Sequence, residues 1–127
     1  MIRYNPNDNR FLWPDGVYSA HIERAEEKKS SAGNRMIEFT FLCFDRSLGR
    51  IRVWEHVVIP KGLWRLKRIA QAVGAMKAFE SGRFSPRQYL GAHLLLELNI
   101  RRSPGYAPRN VAVEYLPVEE FAGALAV

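Results

Sequence analysis

Apolar and polar positions alternate with period two through five segments of the chain, and one segment switches to a spacing of three and four. A first strand, about Val17 to Ala25, is predicted to bury Tyr18, Ala20 and Ile22. A second, about Arg35 to Phe44, puts Ile37, Phe39, Phe41 and Cys43 on one face. A third runs from Arg50 to Ile59: Ile51, Val53, Val57 and Ile59 point inward, interrupted by Glu55, while Arg50, Arg52, Trp54 and His56 point the other way. After Pro60-Lys61-Gly62 the period changes. Leu63, Leu66, Ala70 and Val73 recur at helical spacing, with Gly74 as the C-terminal cap. Residues 75–91 read as a second short helical or irregular piece, with Ser85-Pro86 as a helix start. A fourth strand alternates Leu94, Leu96, Leu98 and Ile100 with Leu95, Glu97, Asn99 and Arg101, and a fifth, ending at Pro117, points Val111, Val113 and Tyr115 inward.

Turn chemistry divides these elements. Pro14-Asp15-Gly16 closes a polar N-terminal arm (1–15), residues 26–34 form a polar loop, 45–49 a short hairpin connection and 103–108 a loop rich in Pro and Gly. Three strands, a helix and two strands is the order of the OB-fold, a small Greek-key barrel that binds oligonucleotides on its strand 2–3 face and its 1–2 and 4–5 loops. The chain is therefore predicted to be mainly β: a five-stranded antiparallel OB-fold barrel over 16–117, with an α-helical insert between strands 3 and 4. A tail, 118–127, follows.

The outward face of the third strand changes this picture most. A strand needs only its apolar face to fold, yet the other face carries Arg50, Arg52, Trp54 and His56. Guanidiniums that meet phosphates, beside a flat ring on which a base stacks, are what single-stranded nucleic acid binding requires. The plainer alternative has the arginines solvated and Trp54 covering a sheet edge. The 4–5 loop adds Arg101, Arg102, Tyr106 and Arg109, with two prolines that limit its conformations. Lys28, Lys29 and Arg35 flank the first loop, offset by Glu26 and Glu27. On the helix, Arg65, Lys67 and Arg68 read as a solvated face and Trp64 as a core or capping aromatic.

Charge is distributed in step with the three surfaces. The chain of 127 residues carries a formal net charge of +6; residues 46–68 alone sum to +6 and residues 101–109 to +3, so the remainder is net acidic. Cations gathered in two segments suit a polyanion better than uniform basicity would.

The short motifs Asp15-Gly16-Val17-Tyr18, Ala32-Gly33-Asn34-Arg35-Met36-Ile37, Val53-Trp54-Glu55, Leu63-Trp64-Arg65-Leu66-Lys67-Arg68 and Arg109-Asn110-Val111 carry a resemblance over residues 15–116. The chain resembles the small phage-encoded single-stranded DNA-binding proteins with an OB-fold. That resemblance implies sequence-independent binding of single-stranded DNA in phage replication or recombination, with replication or recombination proteins as further partners. It does not extend to the acidic tail of many such proteins, since only Glu119-Glu120-Phe121 precedes an apolar end.

Other chemistries find little support. The single cysteine, Cys43, excludes an internal disulfide and a Cys-rich metal site, and reads as a buried thiol. His21, His56 and His93 are far apart in sequence, and no zinc-ligand pair, phosphate-cradling Gly-rich loop or nucleophile elbow occurs. No cofactor, metal or catalytic residue is expected. No apolar run approaches the roughly 20 residues that span a bilayer, and there is no apolar signal core, so a cytoplasmic protein is expected. Three functions compete: a non-catalytic single-stranded DNA-binding protein, with RNA and homo-oligomers open; an OB-fold adaptor for a replication protein; and a nuclease, which would need converging carboxylates that the sequence scatters.

Overall fold

The computed structural model describes residues 1–3 and 12–118. The expected tail, with Glu119 and Glu120, and most of the arm lie outside the described residues. Five strands, β1 (Gly16–Lys29), β2 (Arg35–Asp45), β3 (Gly49–Val58), β4 (His93–Arg101) and β5 (Arg109–Leu116), form one antiparallel sheet in the order β3-β2-β1-β4-β5. Helices α1 (Leu63–Val73) and α2 (Met76–Glu80) and a 3-10 turn at Pro86–Gln88 fill the connection from β3 to β4. The chain is mainly β, as the alternation predicts. Among the described residues no backbone ladder joins the edge strands β3 and β5.

One face of the sheet carries the core. Ile22, Phe39, Phe41, Cys43, Val53, Val57, Leu94, Leu96 and Leu98 are essentially inaccessible to solvent, and Ile69 and Tyr89 from the insert pack onto them. Burial pushes the Cys43 thiol up to about 12, so it stays protonated and acts as a small apolar group. Trp13, from the end of the expected arm, is also buried. Its backbone N–H donates to Asn110 Oδ1 (3.0 Å), the Asn110 amide donates back to its carbonyl (2.8 Å), and its ring meets Tyr18 at 4.9 Å.

Two β-bulges correct the expected elements. In β1, Ile22 faces Phe41 but Arg24 faces Thr40, leaving Glu23 as the extra residue. The inward series becomes Ala20, Ile22, Ala25, and the strand runs on to Lys29 instead of ending near Ala25. Residues 26–29 pair with 35–38, so the expected polar loop shrinks to residues 30–34. In β5, Glu97 faces Glu114 but Leu98 faces Ala112, so Val113 is the extra residue. Val113 is accordingly exposed rather than inward, and Ala112 takes its place against the core.

The insert follows its predicted start and stop. A Cβ at Gly62 would sit 2.9 Å from the Val58 carbonyl oxygen, so the turn into α1 admits little but glycine. Gly74 adopts φ 74°, and the Ala75 N–H reaches the Ala70 carbonyl (2.8 Å) in a Schellman closure. The buried side of α1 is Leu66, Ile69, Ala70 and Ala72, with Leu63 turned outward. Trp64, expected as a core or capping aromatic, is 60% exposed and so is no part of the core; the Arg65 guanidinium lies 4.7 Å from its ring centroid. Arg65 is not a solvated cation either.

Glu55, the one acidic residue at an inward position of β3, explains that rotation. It accepts a hydrogen bond from the Tyr115 hydroxyl of β5 (2.9 Å) and pairs with Arg65 of α1 (3.1 Å). Burial, with the Glu55 carboxylate beside it, holds the Tyr115 phenol well above its ordinary value, so it remains a donor at any physiological pH. This contact draws the two edge strands together where no ladder does. Replacing Tyr115 with Phe should lower the unfolding free energy by about 1.5–3 kcal/mol, the range for a hydrogen bond to a charged group. Urea unfolding reads this directly, and an unchanged midpoint would show that the contact carries no stability.

Candidate nucleic-acid interface

The stripe on β3 stands as its alternation predicts. Arg50, Arg52, Trp54 and His56 are all exposed, and Trp54 keeps 58% of its surface open. Their charges, however, are not equally available. Arg52 makes a two-pronged pair with Glu23, Nε to Oε2 at 2.7 Å and Nη2 to Oε1 at 3.0 Å. Glu23 is the bulge residue of β1, on its outward face, and reaches across β2 to Arg52. His56 Nε2 lies 2.7 Å from Glu38 Oε2, and Lys28 Nζ donates to Glu38 Oε1 at 2.8 Å. Arg50 sits over the Phe44 ring, 5.3 Å from its centroid.

A cleft of about 480 Å³ separates the edge strands, and five of the eleven predicted site residues line it. Arg52, Trp54 and His56 come from β3, Arg101 from β4, and Arg109 and Asn110 from β5, with Arg65 of α1 as well. Arg101 and Arg109 stand directly opposite each other in the β4–β5 ladder. Like charges in that position destabilise a sheet, and neither guanidinium has a carboxylate partner among the described residues. An anion between them removes that repulsion. Tyr106, 80% exposed, crowns the hairpin above them, and Arg102 is exposed beside Arg101.

The structure separates the remaining predicted residues from this cleft. Lys28, Lys29 and Arg35 line a different groove, at the far end of the β1–β2 hairpin, with Lys29 directly opposite Arg35. They belong to strand ends rather than to the loop. Arg68 pairs with Glu114 of β5.

Phe44 and His21 were missed by the sequence reading. Phe44 faces Arg50 across the β2–β3 hairpin, and its ring lies 5.2 Å from His21, which in turn lies 5.8 Å from His93. The signal was present: Asp45 Oδ2 caps the turn by accepting from the Ser47 and Leu48 N–H groups (2.9 Å each). The resulting three-residue loop, 46–48, sets Phe44 opposite Arg50.

Among the described residues no group of three or more His, Cys, Asp or Glu could hold a metal ion, and no helix is long and apolar enough to cross a membrane. Compared with known families and with curated proteins, the chain matches none.

The two carboxylates on this face respond to acid in a defined direction. The Arg52 hydrogen bond lowers the Glu23 carboxyl below its ordinary value, and Lys28 and then His56 lower that of Glu38. Depressed carboxylates stabilise the fold above their unfolded value, near 4.5, and lose that contribution as pH falls through the folded value. The parent should therefore be more stable than Glu38→Gln at neutral pH, and the difference should vanish as both are acidified. Urea midpoints between pH 7 and about pH 3 check this; a pH-independent difference would show that the loss is one of packing.

Proposed function

We propose that the chain is a non-catalytic, sequence-independent single-stranded DNA-binding protein of the OB-fold class, acting in phage-type DNA replication or recombination in the cytoplasm. The observation that carries this reading is the cleft lined by an exposed indole, Trp54, and by the opposed pair Arg101 and Arg109, which has no carboxylate partner among the described residues. Two further features support it. The sheet order, with β3 and β5 drawn together by Tyr115 and Glu55, suits a partly open five-stranded Greek-key barrel. The cleft also joins strand 3 to the 4–5 hairpin, two of the surfaces with which such barrels hold oligonucleotides.

Binding proceeds by two separable contributions. Phosphates displace counterions at Arg101 and Arg109, which gives affinity without base preference. A base stacks on Trp54, worth roughly 1–3 kcal/mol and tolerant of sequence. Arg52 contributes only when a phosphate replaces Glu23, so it is a reserve cation and not a standing one. RNA offers the same phosphates and ring faces and is bound by the same chemistry; a homo-oligomer or a replication or recombination protein would add to this site without altering it.

Fluorescence anisotropy with matched single-stranded DNA, duplex DNA and RNA at two salt concentrations tests the reading, since a stacking ring needs unpaired bases. Tighter binding of duplex would overturn it. Trp54→Ala should weaken single-strand binding by about 1–3 kcal/mol with the salt slope nearly unchanged. Arg109→Ala should weaken it and reduce the slope by somewhat under one unit, while Arg68→Ala does neither. Glu23→Gln should tighten binding and steepen the slope, because Arg52 is then free for phosphate. Weaker binding by Glu23→Gln would show that Arg52 needs its partner to be positioned at all.

A further inference from the structure

The opposite end of the sheet holds a second, larger concavity of about 850 Å³, built from the end of the β1–β2 hairpin, the first turns of α1, and α2 with the segment after it. Its walls are apolar and partly open to solvent: Met36, Ile59, Leu63, Phe79 and Phe84 line it, and Leu63 leaves 42% of its surface uncovered. Monomeric surfaces seldom leave bulky side chains gathered in a hollow without a partner for them.

Cations surround this apolar hollow. Lys29 and Arg35 stand directly opposite each other in the β1–β2 ladder, and Arg83 lies across from them, all three exposed and without a carboxylate partner among the described residues. Lys28 also lines it but is held by Glu38, and Glu27 and Glu80 are the two acids present. Like-charged neighbours cost stability until an anion lies between them.

We propose that this groove is a docking site for an acidic peptide segment of a partner protein, one in which bulky apolar side chains alternate with Asp or Glu. Apolar anchors fill the hollow between α1 and α2, and flanking carboxylates reach Lys29, Arg35 and Arg83. The apolar walls decide against nucleic acid here, because the polar edges of a buried base would find no hydrogen-bond partners on them. The Phe84 ring is already engaged, stacked on Tyr89 at 5.5 Å and edge-on to Phe39 at 6.1 Å, so it does not offer a free platform. The concave shape equally excludes a flat bilayer surface. The groove shares no lining residue with the cleft between β3 and β5, so this inference stands apart from the nucleic-acid reading.

The test uses the full chain and a fluorescein-labelled synthetic peptide, Glu-Glu-Phe-Glu-Glu-Leu-Glu-Glu, followed by anisotropy. Saturable binding is expected, weakened by roughly tenfold or more in Leu63→Asp and in Arg83→Glu. Both side chains are exposed, so circular dichroism and single-strand binding should stay as in the parent. A peptide with Ser in place of Phe and Leu should not bind. Absence of saturable binding to the parent overturns the proposal, as does binding that neither variant weakens. Displacement of the peptide by a single-stranded oligonucleotide, lost in Arg83→Glu, would assign the groove to nucleic acid instead.

Discussion

A carboxylate in an inward position of an edge strand is the constraint around which this molecule is arranged. Glu55 interrupts the apolar alternation of β3, and a charge there is costly unless it is both paired and hydrogen-bonded. Arg65 supplies the pairing from α1 and Tyr115 the hydrogen bond from β5. One residue thus ties three elements that no backbone ladder unites. It fixes the rotation of α1, which leaves Trp64 outside, and it sets the approach of β5 to β3, which creates the cleft. An apolar residue at position 55 would relieve the cost and remove the reason for the arrangement.

The same economy governs the outer face. Towards its middle Arg52 is matched by Glu23, and Glu38 lies against His56 and reaches out to Lys28. At the two hairpin ends Arg101 faces Arg109 and Lys29 faces Arg35, with no carboxylate partner among the described residues. Exposed ion pairs contribute little stability, so the central pairs matter mainly by cancelling the field there. The net positive potential is left at the ends, one beside an exposed indole and the other beside an apolar hollow. The distinction between those neighbours, more than the charge itself, separates a surface for stacked bases from one for apolar anchors.

The five strands, the single helical insert and its Gly74 closure were legible in the sequence, because each rests on a local period or a local turn. The stripe was legible for the same reason: β3 contains no bulge, so parity holds from Arg50 to His56. What failed lies beyond local information. A bulge shifts parity by one and leaves no mark in composition, so alternation alone ends β1 early and points Val113 inward. Trp64 was placed by its hydrophobicity, whereas its position follows from the long-range pair of Arg65 with Glu55. Neutralisation of Arg52 was equally invisible, since Glu23 reaches it only from a bulge 29 residues away in sequence.

The bulge at Glu23 therefore does two things at once. By inserting a residue it lets β1 bend and continue to Lys29, which carries the Lys29–Arg35 pair out to the rim of the second groove. By resetting the alternation it turns Ala25 rather than Arg24 inward, while Glu23 stays on the outer face and holds Arg52. A regular strand would put Arg24 inward by strict alternation after Ala20 and Ile22, where its charge would be buried without a partner such as Arg65 gives Glu55. The bulge thus keeps Arg24 off the core, and the carboxylates on the outer face, Glu23 and Glu38, decide which of its cations are held.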